Sequence, residues 1–169
     1  MKYFSYLCRE INRYKNMERG YRYRIYPTPE QEVLMSKTFG CVRFVYNWGL
    51  ELKSRLWNEE QKSIGRFELQ GLMQKELKTK HEWLKEVNSQ SLQFAVKQLS
   101  DAYNLFFKGT GRYPVFKSKY GRQKFNCPQH CRVDFKHGRL EIPKFMGKNS
   151  IKCVFHRRFK GRIVRVTIT

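Results

Sequence analysis

The residues best equipped for chemistry lie between Lys108 and Lys124, where Arg112, Lys117, Lys119, Arg122 and Lys124 are interleaved with Tyr113, Phe116 and Tyr120. Ammonium and guanidinium groups pair with phosphates, and exposed rings stack on bases. A second cationic group, Arg157, Arg158 and Lys160, follows near the C-terminus. A lone surface cation is ordinarily just solvated. Here, however, 17 Lys and Arg stand between Lys108 and Thr169 against two acids, Asp134 and Glu141. That imbalance marks Lys117, Lys119, Arg122, Lys124, Arg157, Arg158 and Lys160 as a phosphate-contacting surface. Over the whole chain, 35 Lys and Arg against 14 Asp and Glu give a net charge of +21, with a pI near 10.0. A folded chain keeps such a self-repelling excess mainly when a polyanion offsets it, and nucleic acid is the first candidate.

Other chemistries fit less well. Cys127, Cys131, Cys153 and His156 contain the ligand types of a tetrahedral zinc site. Three residues separate Cys127 from Cys131, where zinc hairpins usually have two, and Pro128 stiffens the loop. No metal or other cofactor is expected, and the five cysteines, an odd number without a repeating framework, read as reduced thiols. Two-metal phosphodiester cleavage needs several converging carboxylates, but the aspartates are Asp101 in a helical stretch and Asp134 beside a strand. Neither has a partner carboxylate nearby in sequence. No run approaches the roughly 20 apolar residues of a membrane span. Arg9, Glu10 and Arg13 interrupt what would be a secretory segment, so a cytoplasmic protein without membrane contacts is expected.

The elements that must position these residues are legible from periodicity. Leu92, Ala95, Val96, Leu99, Ala102, Tyr103 and Phe106 recur at helical spacing, which predicts a helix over Ser89 to Phe107 with Asn88, Ser89 and Ser91 at its start and Gly109 and Gly111 reversing the chain after it. Earlier, Tyr21, Tyr23 and Ile25 alternate with Arg22 and Arg24 as in a half-buried strand that Pro27 ends. Thr28-Pro29-Glu30-Gln31 is a capping-box start. Phe39-Gly40-Cys41 is read as a break, with Val42, Val45, Tyr46 and Leu52 resuming to about Trp57, the outline of a helix-turn-helix. On that second run Tyr46 and Trp48 are expected to pack and Asn47 to tie a turn. A further helix spans Arg66 to Thr79 with Leu69, Leu72, Met73 and Leu77 inward, and Trp83, Leu84 and Val87 cover the link onward. Phe125, Val133 with Phe135, Leu140 with Ile142, Ile151 to Phe155, and Ile163 to Ile168 are short β-type runs. The early strand needs that sheet, so the helices form an insertion. The expected organisation is an extension over 1–16, a first barrel strand over 17–27, a helical lobe over 28–110, and the basic loop with the remaining strands over 111–169.

Several blocks resemble the amino-terminal half of TnpB, also called OrfB, the transposon-associated RNA-guided nuclease family related to the type V CRISPR effectors. They are Arg24-Ile-Tyr-Pro-Thr-Pro-Glu-Gln31, Gly40-Cys-Val-Arg-Phe-Val-Tyr-Asn47, Ser91-Leu-Gln93 with Ala102-Tyr-Asn-Leu-Phe-Phe107, Tyr113-Pro-Val-Phe-Lys117 and Arg139-Leu-Glu-Ile-Pro-Lys144, in the family's order. The resemblance implies an α+β fold: a small wedge-type β-barrel, incomplete without strands beyond Thr169, carrying an inserted helix-turn-helix-like recognition lobe. It implies that Gln93 and Asn126 read bases of a target-adjacent motif on duplex DNA, with guide RNA as a second partner. The family's aromatic residue before Gly65 is replaced by Ile64. Its RuvC-like nuclease domain, with an Asp, Glu, Asp metal set, would follow Thr169. The expectation is therefore a truncated, DNA-binding, non-cleaving chain; the alternative is a stand-alone basic RNA-binding protein.

Overall fold

The computed structural model describes the backbone of residues 2–12 and 15–169, and side chains from Arg19 onward. The chain forms two units, one made of Met1–Lys37 with Gln123–Thr169 and the other of Thr38–Arg122. The architecture is α+β, with the helices inserted between strands of a single sheet.

In the first unit the described strands are β1 (Lys2–Asn12), β2 (Lys15–Tyr26), β3 (Phe125–Cys127), β4 (Arg132–Asp134), β5 (Arg139–Glu141), β6 (Ile151–Val154) and β7 (Arg162–Ile168), in the sheet order β3-β7-β1-β2-β6-β5-β4. Its described strands pair antiparallel throughout, and its two edges are β3 and β4. The stretch read as an extension contributes β1, which lies between β2 and β7 in the register Phe4↔Tyr23 and Phe4↔Ile168. Pairing with a segment some 160 positions away is a tertiary property that local periodicity does not report. Tyr23, Ile25, Phe125, Leu140, Ile151, Val166 and Ile168 form the core, while Arg22 and Arg24 face outward as the alternation requires.

Helix α1 (Pro29–Glu60) starts with the expected capping box: Thr28 N donates to Gln31 Oε1 at 3.0 Å, and Gln31 N to Thr28 Oγ1 at 3.3 Å. Gln31, 4 % exposed, also donates from Nε2 to the Asn149 carbonyl at 2.9 Å, so the cap is tied to the sheet unit's own loop. The expected break at Phe39-Gly40-Cys41 does not occur. Helix α1 runs through it for 32 residues. A helical glycine costs only about 1 kcal/mol against alanine, and the buried stripe Met35, Thr38, Val42, Val45 continues across the site.

The second unit adds α2 (Arg66–Leu72), a π-helical turn over Met73–Leu77, α3 (Lys78–Lys80), a 3₁₀ turn over Glu82–Lys85 and α4 (Ser89–Phe107). Leu69, Met73, Leu77, Leu84 and Val87 are buried as expected, and Trp83 instead lies half out against Phe44 at 5.0 Å between ring centroids. Gly49 is where α1, α2 and α4 converge: an added Cβ would stand 2.9 Å from Leu99 Cδ2 and 3.2 Å from Leu69 Cδ2. Helix α4 has the predicted bounds, with Asn88 Oδ1 accepting from Gln90 N at 3.2 Å. It ends in a Schellman arrangement, with Gly109 at φ +70°, Gly109 N bonded to Phe106 O and Thr110 N to Leu105 O. Phe106, expected inside, is 37 % exposed. No helix among the described residues is long and apolar enough to cross a membrane.

Candidate nucleic-acid interface

The basic loop that follows α4 is held within the helical unit by Asn47 and by Tyr113. Asn47, on α1, holds the backbone of Lys117: its Nδ2 donates to the Lys117 carbonyl at 3.0 Å, and Lys117 N donates to Asn47 Oδ1 at 2.8 Å. The expected tying role of Asn47 is therefore observed, and it is the loop itself that is tied. Tyr113 supplies the second point, its hydroxyl 3.1 Å from that of Tyr103 and 3.2 Å from Ser54 Oγ. The hydrogen bonds from Ser54 and then Tyr103 pull the Tyr113 phenol below its ordinary range, while burial pushes Tyr103 up to about 12. Tyr46 is buried, and the Lys117 ammonium lies 3.6 Å from the centre of its ring. Lys117 thus packs as a cation–π partner as well as carrying charge. Lys119, Arg122, Phe116 and Tyr120 are exposed.

Gln93 is exposed on α4, in the same unit as this loop, and its backbone carbonyl accepts from Gln70 Nε2 at 3.4 Å. Asn126 is placed differently. It sits in β3 opposite Thr167 of β7, is 4 % exposed, and its Oδ1 accepts from the Thr167 hydroxyl at 2.7 Å. So placed, it ties β3 to β7.

In the sheet unit, Lys124 is exposed at the entrance to β3, and Arg157, Arg158 and Lys160 are exposed between β6 and β7. The segment bearing these three cations is anchored by residues that the charge pattern did not single out. Tyr23 donates its hydroxyl to the Arg157 carbonyl at 2.8 Å. A run of ring contacts links Tyr23 to Phe155 (5.0 Å), Phe155 to Phe135 (5.0 Å), Phe135 to Phe159 (4.9 Å) and Phe159 to Tyr21 (5.5 Å). The available signal was the aromatic excess flanking each cation cluster. Arg22 and Arg24 line a shallow recess of about 460 Å³ with His156 on the same unit, adding cations to it.

The sulfur ligand types are not gathered. Cys131 donates its thiol to the carbonyls of Cys127 and Gln129, both at 3.4 Å, and the bond to Cys127 together with burial pushes that thiol far up. Burial alone pushes Cys153 up to about 12. Among the described residues no three His, Cys, Asp or Glu side chains are grouped as a metal site. Asp101 is paired with Lys97 at 2.5 Å, and Asp134 with His137 Nδ1 at 2.6 Å.

A helix-turn-helix domain model of the IS605 OrfB type matches residues 17–62. Over 106 residues the chain is 39 % identical to a protein of Streptomyces pristinaespiralis named "Putative RNA-guided DNA endonuclease", covering 62 % of this chain and 26 % of that one. Over 130 residues it is 30 % identical to "Putative RNA-guided DNA endonuclease InsQ" of Escherichia coli (strain K12), covering 74 % and 31 %. Over 116 residues it is 36 % identical to virulence protein VsdF of Salmonella dublin, covering 63 % of this chain and 98 % of that protein. The chain therefore spans about a quarter to a third of the two endonuclease relatives, at their amino-terminal part, and nearly all of the third. With the α+β architecture and the inserted helical unit, these similarities show that the chain belongs to the TnpB (OrfB) family and corresponds to the amino-terminal part of its longer members.

Proposed function

We propose that this chain is a DNA-binding, transposon-associated protein that holds duplex DNA through its cations, reads a base edge with Gln93, takes guide RNA as a second partner and does not itself cut. The observation that carries this reading is that Gln93 is exposed in the same unit as a basic loop whose backbone is held at Lys117 by Asn47. A pinned cationic loop supplies phosphate contacts that set register, and an exposed amide on the same unit supplies the donor and acceptor pair that adenine requires. The DNA and RNA partners agree with the names of two relatives. The absence of cutting is supported by the carboxylates: Asp101 and Asp134 are each engaged by a cation or imidazole beside them. Cytoplasmic action accords with the charge and with the lack of a spanning helix among the described residues.

The test is a titration on duplexes differing only in a five-base motif, with and without bound guide RNA, in Mg²⁺. Wild type should discriminate between motifs and leave them intact. Gln93→Ala should narrow the discrimination by roughly 1–3 kcal/mol with little change in salt dependence. Equal affinity for all motifs, together with tight binding to structured RNA, would favour the RNA-binding alternative. Mg²⁺-dependent cleavage lost in Asp101→Asn or Asp134→Asn would overturn the non-cleaving reading.

A further inference from the structure

The helical unit contains a cavity of about 420 Å³ between the C-terminal part of α1 and that of α4, within the size range of small-ligand sites. It is remote from the base-reading candidate, since Gln93 to Tyr103 alone spans about 15 Å of helix axis. Its walls are rings held at fixed angles. Tyr103 and Phe107 are stacked at 6.1 Å and 23°, and Phe106 meets Tyr113 edge-on at 5.3 Å and 89°. Trp57 and Phe107 line it while remaining 54 % and 76 % exposed, a large apolar surface to leave in water.

The remaining lining says what kind of ligand would cover those rings. Ser54, Asn58 and Ser63 offer hydroxyl and amide groups, and Lys53 and Lys62 offer cations. Lys53 donates to the Ile64 carbonyl and lies 5.0 Å from the Tyr103 ring centre. Burial lowers its pKa, so its ammonium is poorly hydrated and gains from a nearby anion. A lipid chain or an apolar peptide would leave the lysines and hydroxyls without a use. A ligand with a flat π-face, polar edges and a negative charge uses all three, and the chain's charge of +21 attracts polyanions made of such units.

We propose that this cavity takes one unpaired nucleotide of a bound nucleic acid, its base against Trp57 and Phe107 and its phosphate beside Lys53 and Lys62. The inference rests on nucleic acid being the ligand of this chain. It adds a second mode of recognition, by stacking on a base that is out of a duplex.

The experiment uses the full chain and oligonucleotides carrying one 2-aminopurine, as single-stranded RNA, as single-stranded DNA, and as perfect duplexes of the same sequence. Binding should quench the probe in single strands and not in duplexes, and the RNA and DNA arms show which strand supplies the nucleotide. Trp57→Ala with Phe107→Ala should abolish the quench and weaken single-strand affinity on the order of tenfold, leaving duplex affinity unchanged. Trp57→Phe should retain most of the quench. Should the double variant melt at a lower temperature than wild type, Phe107→Ala alone, at the most exposed ring, carries the comparison. A folded variant that quenches and binds like wild type, or equal quenching of paired and unpaired probes, overturns the proposal while salt-dependent duplex binding persists. Failure of wild type to bind any of the oligonucleotides overturns the functional reading, and this inference with it.

Discussion

Asn47 and Lys117 illustrate how side-chain identity outweighs charge. Asn47 gives the Lys117 backbone both an acceptor and a donor, at 2.8 and 3.0 Å, a pair of contacts that neither aspartate nor leucine could reproduce. Truncation to Asn47→Ala leaves a backbone N–H and a carbonyl of a half-buried residue without those partners, which costs roughly 1–2 kcal/mol. We expect the variant to melt at a lower temperature in calorimetry and to lose affinity for all duplex sequences alike. Unchanged melting would show that the Asn47 bonds are not what holds the loop. Lys117→Ala is expected to combine two losses, one phosphate contact and the packing of its ammonium 3.6 Å from the Tyr46 ring centre. At Asp134 the hydrogen bonds from His137 hold the carboxyl below its ordinary range. Their contribution is therefore present above the usual carboxylate pKa and is lost as pH falls through the lowered one.

For the elements, the decisive case is α1. A glycine preceded by Phe39 and followed by Cys41 can end one helix and begin another or be carried through as an interior residue. The burial of Met35, Thr38, Val42 and Val45 along one face favours continuity. A Cβ added at Gly40 meets nothing within 4 Å. Gly40→Ala should therefore stabilise the chain by about 0.5–1 kcal/mol, read as a rise in melting temperature with no loss of helical circular dichroism. A fall in stability would mean that position 40 needs turn geometry after all. The same reasoning makes Gln31 more than a cap, because it closes the capping box and also bonds the Asn149 carbonyl.

At the scale of the whole molecule, charge is the dominant property, and both units carry an excess of cations. The sheet unit carries Arg157, Arg158 and Lys160 on a segment anchored by rings, so these cations are offered to a ligand from a fixed backbone. Each phosphate that a cation neutralises on duplex DNA contributes about 0.9 to the slope of log affinity against log salt. Replacing all three by alanine should lower that slope by up to about 3 and weaken preferred and scrambled duplexes equally. An unchanged slope in a filter-binding or fluorescence titration would remove these residues from the interface.

The sequence by itself determined the bounds of α4, its Asn88 cap and its Gly109 ending, the Thr28–Gln31 capping box, the short strands from Phe125 onward and the strongly cationic character. Each of these is fixed by residues within a few positions of one another or by composition, which a linear reading can weigh. Only the tertiary structure decided that β1 sits between β2 and β7, that α1 passes through Gly40, that Asn126 is enclosed against Thr167, and that Trp57, Phe107 and Tyr113 share one cavity. The physical reason is common to all four. Strand pairing, burial and cavity formation are settled by partners distant in the chain, and the free energy of those contacts overrides local propensities worth a kcal/mol or less.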